Sequence, residues 1–437
     1  MVARAGGASV SGPAVQPVLP APGFRRAGDL VFISSIFPID GEGNLAHTSV
    51  LSPYAGESEV AAQTRSVLET LKRVLGEAGT SLENMVKAEV YLADVADFYE
   101  FKLVWKEYFP QDPPARATSV VGEDHIIPGC LLNLNGVALA GDSSWKRETI
   151  SVPDAPDPMD AEWAPQATKA GPFVFPSTLP ATDFKTGVPV GKLPVYPYYG
   201  SDAEMQTRYI LENLEKVLKA AGSGLDQAVK AQFHETDLIN FHDIDGIWGQ
   251  MMGDIPPTRS SMAMRSLLVP GAMFAANLIF LAPDAQHQKV ETRKGIAFHP
   301  VDVRKVNYSP GITAGDWLFT AGQVSVKDYA KGVLAIAPQA LPHYYSDIEI
   351  QTNHTMNLLK DQLTANGYSL VDIAEARIFL TNATRDYRGF ERSWRKIFEG
   401  VSPLPAMCLI PSNQSNGLGG VMLHELIIEI DLIMKSP

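Results

Sequence analysis

Two arginines and a histidine–glutamate pair carry most of the chemistry this sequence offers. Arg116 and Arg259 each close a Pro-Pro-x-Arg run that leads into a strand-like stretch. A strand arginine among apolar residues needs an anionic partner or a cleft. Both are therefore candidates for anchoring a substrate carboxylate or carbonyl oxygen, the plainer alternative being a salt bridge between domains. His234-Glu235 puts two titratable groups where the related segments read Tyr91-Leu92 and Phe379-Leu380. Strand alternation sends His234 to the face of Lys230 and Gln232, and Glu235 to the opposite, helix-packed face. A histidine titrating near neutrality is a natural general base, and a buried glutamate has a raised pKa that suits an acid. If the strand frays at Thr236-Asp237, both side chains meet solvent instead. Asn133, Asn135 and Asn277 lie on late strands, where an amide either donates to a substrate oxygen or joins a polar ladder. His424 and Glu425 alternate along a strand and cannot share one metal; of the two, Glu425 is the functional candidate.

These residues recur within a repeat. Gly-Asp-Leu-Val-Phe at 28–32 returns as Gly-Pro-Phe-Val-Phe at 171–175 and Gly-Asp-Trp-Leu-Phe at 315–319, shifted by 143 and 144 residues. Gln-Thr-Arg at 63–65 returns at 206–208 and as Gln-Thr-Asn at 351–353, and tryptophan at Trp105, Trp248 and Trp394. Such a period is too long for a solenoid, so each repeat is a whole domain. Within the first repeat, a short strand opens on a turn glycine. An amphipathic helix follows, with Val60, Thr64, Val67, Leu68, Leu71, Val74 and Leu75 on one face, stopped by Gly79. Then come a strand alternating Val86, Ala88, Val90, Leu92 against Lys87, Glu89, Tyr91, a helix holding the tryptophan, and two closing strands. The order β-α-β-α-β-β predicts an α+β domain with helices on one sheet face. The expected layout is a tail at 1–16, domains at 17–142, 165–283 and 307–437, and linkers at 143–164 and 284–306. Glu89, Gln232 and Arg377 are equivalent across the repeats, and Glu89 is expected to pair with Arg377 where the domains meet.

The chain has 437 residues, with 36 Lys and Arg against 49 Asp and Glu, a formal charge of −13. That balance argues against a nucleic-acid partner, which calls for a basic stripe. Two cysteines exclude a disulfide scaffold. No apolar run reaches the ~18 residues of a membrane span, and the N-terminus lacks a signal-like apolar core, so a cytoplasmic protein is expected. No Gly-rich nucleotide loop and no closely spaced histidine pair is present, so neither a cofactor nor a metal is expected.

The landmarks resemble the YjgF/Rid family of reactive-intermediate deaminases, also known as L-PSP endoribonucleases, three times over. The resemblance rests on the Gly-x-x-hydrophobic-Phe strand, the Gln-Thr-Arg helix and the Pro-x-Arg strand. It implies three tandem YjgF/chorismate-mutase-like domains forming a single-chain pseudo-trimer around a central β-barrel, with small-molecule clefts between domains. Further dimerisation is left open. The family arginine maps to Arg116, Arg259 and Met407, and the family glutamate to Asn133, Ala275 and Glu425. The Tyr-Ser and Gly-Gln elements survive only as Tyr308-Ser309 and Gly322-Gln323. No single domain thus keeps arginine and glutamate together. The expected function is a hydrolase for a small anionic or carbonyl-containing molecule, by imine or enamine deamination or by C–N or cyclic amide hydrolysis. The alternative is a non-catalytic small-molecule-binding pseudo-trimer, and ribonuclease activity is disfavoured by charge. Motifs of the cyanuric acid hydrolases and chorismatases are not found.

Overall fold

A computed structural model describes residues 19–47, 56–122, 125–158, 164–192, 194–196, 199–296, 307–329, 331–412 and 425–436. The expected tail at 1–16 and His424 lie outside the described residues. The first repeat contains β1 (Phe24–Ala27), β2 (Leu30–Ile36), α1 (Glu59–Glu77), β3 (Met85–Leu92), α2 (Phe98–Tyr108), β4 (Ala115–Val120) and β5 (Leu132–Leu139). After β6 (Arg147–Ile150), the second repeats the pattern as β7 (Ala167–Ala170), β8 (Phe173–Pro176), α3 (Asp202–Ala220), β9 (Ala228–Glu235), α4 (Phe241–Met251), β10 (Thr258–Ala263) and β11 (Phe274–Leu281). After β12 (Lys289–Glu291), the third has β13 (Gly311–Ala314), β14 (Trp317–Thr320), β15 (Gln323–Val324), β16 (Val326–Asp328), β17 (Val333–Leu334), α5 (Asp347–Ala365), β18 (Ile373–Leu380), α6 (Ala383–Ile397), β19 (Ala406–Pro411) and β20 (Ile428–Lys435). The stretches read as linkers thus each supply a strand: β6 pairs with β7 and β12 with β13, both as sheet edges.

The sheet orders are β1-β2-β5-β3-β4, β10-β9-β11-β8-β7-β6 and β12-β13-β14-β20-β18-β19. In each, the strand bearing the arginine position runs parallel to its neighbour: Arg116 beside Ala88, Arg259 beside Ala231, Met407 beside Ala376. The three sheets stay open and separate among the described residues, so the expected closed central barrel is not formed.

Local sequence accounts for the elements. In α1 the buried face includes Val67, Leu68, Leu71, Val74 and Leu75, and Ser58 caps its start by accepting from the Ala61 amide. Gly79, at φ 72°, takes the left-handed turn that lets the chain leave. Each helix then packs with its tryptophan partner on one sheet face, giving one apolar core per repeat. The motif glutamine on each first helix is buried and clamps the loop entering the last strand. Gln63 donates to the Gly129 carbonyl and accepts from the Leu131 amide. Gln206 does the same with Gly271 and Met273, and Gln351 with Glu425 and Ile427.

The opposite sheet faces meet one another. At one end Phe32, Phe173, Phe175, Trp317 and Phe319 from all three repeats form a shared apolar cluster. At the other, Tyr91, Met262, Met264, Phe379 and Val324 do the same. Between them lies a dry ionic layer. Arg377 pairs with Glu89 at 2.9 Å, as the repeat alignment expects, and with Glu375 at 2.7 Å. Lys230 pairs with Asp431 at 2.8 Å. Contacts run from each repeat to the next. The Arg116 amide donates to Ser177 Oγ, the Gly322 amide to the Arg259 carbonyl, and the Met407 amide back to Ser34 Oγ.

Glu235 sits on the helix-packed face where the other repeats have Leu92 and Leu380. It is fully buried, and neither carboxylate oxygen has a hydrogen-bond partner among the described residues. Burial pushes its pKa up to about 8, Asp245 and Asp237 adding to the rise and Arg259 opposing it. A carboxyl raised in the folded state stabilises fully below its unfolded pKa and loses that contribution as pH climbs toward about 8. Glu235→Leu is therefore expected to stabilise the protein by on the order of 2 kcal/mol at neutral pH. The gain is smaller near pH 5 and larger near pH 8. Urea melts at the two pH values check this; equal gains at both would show that Glu235 is not held neutral.

Candidate active site between the second and third domains

Strand register corrects one assignment. Opposite Tyr91, His234 and Phe379 stand Asn133, Ala275 and Glu429. The glutamine clamps agree, because Glu425 takes the loop position of Gly129 and Gly271, four residues before the strand position at issue. Glu425 is exposed, its carboxylate 3.5 Å from the Gln339 amide. The third-repeat residue equivalent to Asn133 and Ala275 is Glu429, not Glu425. Its signal was there: Ile428, Ile430, Leu432 and Met434 alternate inward, and Glu429 and Asp431 interrupt the other face.

Glu429 comes from the third repeat and lies close enough to Arg259 of the second to feel its charge. The Gly322 amide bonds the Arg259 carbonyl at 3.0 Å. A Cβ on Gly322 would lie 1.7 Å from Glu429 Oε1 and 2.7 Å from Ser260 Oγ, so only glycine leaves room for that carboxyl. The Arg259 guanidinium stacks on Tyr308 at 5.0 Å, on Phe233 at 4.6 Å and on Phe241 at 4.8 Å. Its Nη1 donates to Asp245 Oδ1 at 2.5 Å, while Nη2 has no hydrogen-bond partner among the described residues. Gln323 follows Gly322 in β15, half-buried, its backbone paired with Ile430. Tyr329, on the β16–β17 hairpin that among the described residues only this repeat forms, is largely buried near Glu429, and burial first, then the Glu429 charge, raise its pKa.

Burial first, then Asp431, push Glu429 up to about 8, against the pull of Lys230 and Arg259. The carboxyl lies within hydrogen-bonding reach of Ser260, whose hydroxyl donates to Asp431 Oδ2 at 2.5 Å. At neutral pH a buried protonated carboxyl thus lies near a buried guanidinium, a donor pair suited to protonating nitrogen and polarising a C=O or carboxylate.

The other candidates are placed differently. Arg116 stacks on Trp105 at 5.1 Å, bonds Thr118 through Nε, and lines a cavity of about 50 Å³ between the first two domains. Ala275 takes the glutamate position there, so that cleft lacks the acid. Asn133 donates to the Leu409 carbonyl at 3.0 Å, tying the first domain to the third. Asn277 donates to Glu89 at 2.7 Å inside the ionic layer, and Asn135 lies buried opposite Glu89 on the neighbouring strand. His234 is sealed between Tyr91 and Ser119, whose Oγ is 2.7 Å from Nδ1. Burial holds it at about 4, which leaves it a weak base rather than the near-neutral one expected. Among the described residues no group of three His, Cys, Asp or Glu side chains is arranged to hold a metal.

A family model described as Endoribonuclease L-PSP matches residues 24–139, 185–275 and 303–420. The chain belongs to the L-PSP endoribonuclease family. Within that family it is 35% identical to the 3-aminoacrylate deaminase RutC of Acinetobacter baylyi over 126 residues, 29% of this chain and 89% of that protein. It is also 35% identical to a RutC family protein of Pyrococcus abyssi, over 24% of this chain and 74% of that one. A solved putative endoribonuclease L-PSP from Entamoeba histolytica is 29% identical, covering 31% of this chain and 99% of that one, with a TM-score of 0.26. No described helix is long and apolar enough to cross a membrane.

Proposed function

We propose that the cleft between the second and third domains hydrolyses the carbon–nitrogen bond of a small imine or enamine that carries a carbonyl or carboxyl group. The observation that carries this reading is Gly322, whose amide bonds the Arg259 carbonyl and whose bare Cα leaves room for the Glu429 carboxyl, bringing the two residues near each other. The relationship to a 3-aminoacrylate deaminase supports it. Arg259 holds and polarises the substrate oxygen. Protonated Glu429 gives its proton to the nitrogen of an imine or, in an enamine, to the carbon beta to nitrogen, which makes the C=N bond. As water adds to the C=N carbon, the Glu429 carboxylate takes a proton from that water. Collapse of the tetrahedral adduct breaks the C–N bond, so imine and water become carbonyl and ammonia. The arginine and the acid come from consecutive domains, and the succession of contacts from first to second to third and back to first supports a single-chain pseudo-trimer. In it, one cleft of three keeps both groups.

The test is ammonia release from 3-aminoacrylate and its carboxamide by the full chain. Arg259→Ala is expected to lower kcat/KM about 10²–10³-fold, as loss of a preorganised donor does. A change under twofold would sink the reading and favour the non-catalytic binding role.

A further inference from the structure

We infer that this cleft selects substrates whose anchored end is neutral, a carboxamide or ring carbonyl, over free carboxylates, because Asp245 already serves Arg259 as its buried counter-ion. The inference rests on reading the cleft as the substrate site. Arg259 and Asp245 have side chains only 2% and 8% exposed and pair at 2.5 Å. Asp245 is clamped where it stands. Asn307 donates from Nδ2 to Asp245 Oδ2 and to the Asp245 backbone carbonyl, both at 2.9 Å. Helix α4 makes room for that clamp at Gly249, where a Cβ would come within 2.2 Å of the Asn307 amide carbon. The pair is therefore held in place from the third domain.

The charge count near the arginine is then closed. Burial keeps Glu235 and Glu429 protonated at neutral pH, so Asp245 balances Arg259. A substrate carboxylate would bring a second negative charge into a dry site beside one already paired, where like charges repel strongly. Arg259 Nη2 offers what a neutral acceptor needs, a buried N–H donor with its bond unmade. A carbonyl oxygen uses that donor without adding charge.

Two matched compounds read the preference: 3-aminoacrylate and 3-aminoacrylamide, each losing ammonia to water and leaving an aldehyde. The full-length protein is expected to favour the amide at least tenfold in kcat/KM. Asp245→Asn removes the counter-ion at constant shape and is expected to move that ratio at least tenfold toward the acid. A wild-type preference for the acid, or a ratio that Asp245→Asn leaves within twofold, overturns the inference. Binding of the unreactive pair propionamide and propionate, followed by ligand-observed NMR, separates this from failure of the hydrolytic reading. If neither enamine is turned over, tighter binding of propionamide that reverses in Asp245→Asn still supports the inference. Equal binding, or none, overturns it. Should the variant not fold, the wild-type ratios decide alone, equal affinity for the two counting against.

Discussion

Glu429→Gln is expected to lower kcat for imine hydrolysis by about 10²–10⁴-fold while leaving KM within a few fold, since it removes the transferable proton but keeps the shape over Gly322. The wild-type pH profile carries the same signature. Burial pushes Glu429 up to about 8, and in the proposed reaction it is the acid form that starts. Activity is therefore present below that value and falls as pH rises through it. In Glu429→Gln this limb should vanish from whatever activity remains. A variant that keeps wild-type kcat would remove Glu429 from the chemistry, and a rate still rising from pH 8 to 9 in the wild type would mean that the ionised form is the active one.

Arg377→Met is expected to destabilise the protein by about 3–5 kcal/mol, the cost of leaving buried charges uncompensated. Glu89 at 2.9 Å and Glu375 at 2.7 Å both rely on this guanidinium, and all three side chains are essentially inaccessible to water. The Gln232 amide, 2.6 Å from Arg377 Nη1, loses its neighbour as well. Such a loss is a large part of the ~5–15 kcal/mol by which natural domains are stable. Adding Glu89→Gln should recover part of it, because one stranded charge disappears. Urea unfolding of the single and double variants reads both numbers. A single-variant loss below ~1 kcal/mol would show that the layer is hydrated and not dry. The interaction spans the first and third repeats, so the same experiment tests whether they unfold together.

Much of this was legible in order along the chain. Repeat spacing located three domains because Gly28, Gly171 and Gly315 open the same turn and Trp105, Trp248 and Trp394 fill the same core slot. Alternation placed Lys87, Glu89 and Tyr91 on one strand face, and equivalence of Glu89 with Arg377 foretold their ion pair. The third-repeat equivalent of Asn133 and Ala275 was placed four residues early, at Glu425 and not Glu429, because one-dimensional alignment had no anchor in the loop before β20. Strand register and the Gln351 clamp supply that anchor. The histidine was over-read for a different reason. His234 has the right residue type, but its proton affinity depends on how completely Tyr91, Ser119 and the ionic layer exclude water, which no local pattern reports.

The sequence by itself determined the number of domains, the elements within them and the strand carrying each arginine, since these follow from hydrophobic period and turn chemistry along neighbouring residues. Only the tertiary structure decided which arginine meets which carboxyl. Taken domain by domain, arginine and glutamate never coincide. Folded, the second domain's Arg259 and the third domain's Glu429 lie near one another on either side of Gly322. The physical reason is that the cleft is built where two sheets abut, and a carboxyl far along the chain is brought there by packing, through the bare backbone of Gly322. The same packing brings Asn307 of the third domain onto the Asp245–Arg259 pair of the second.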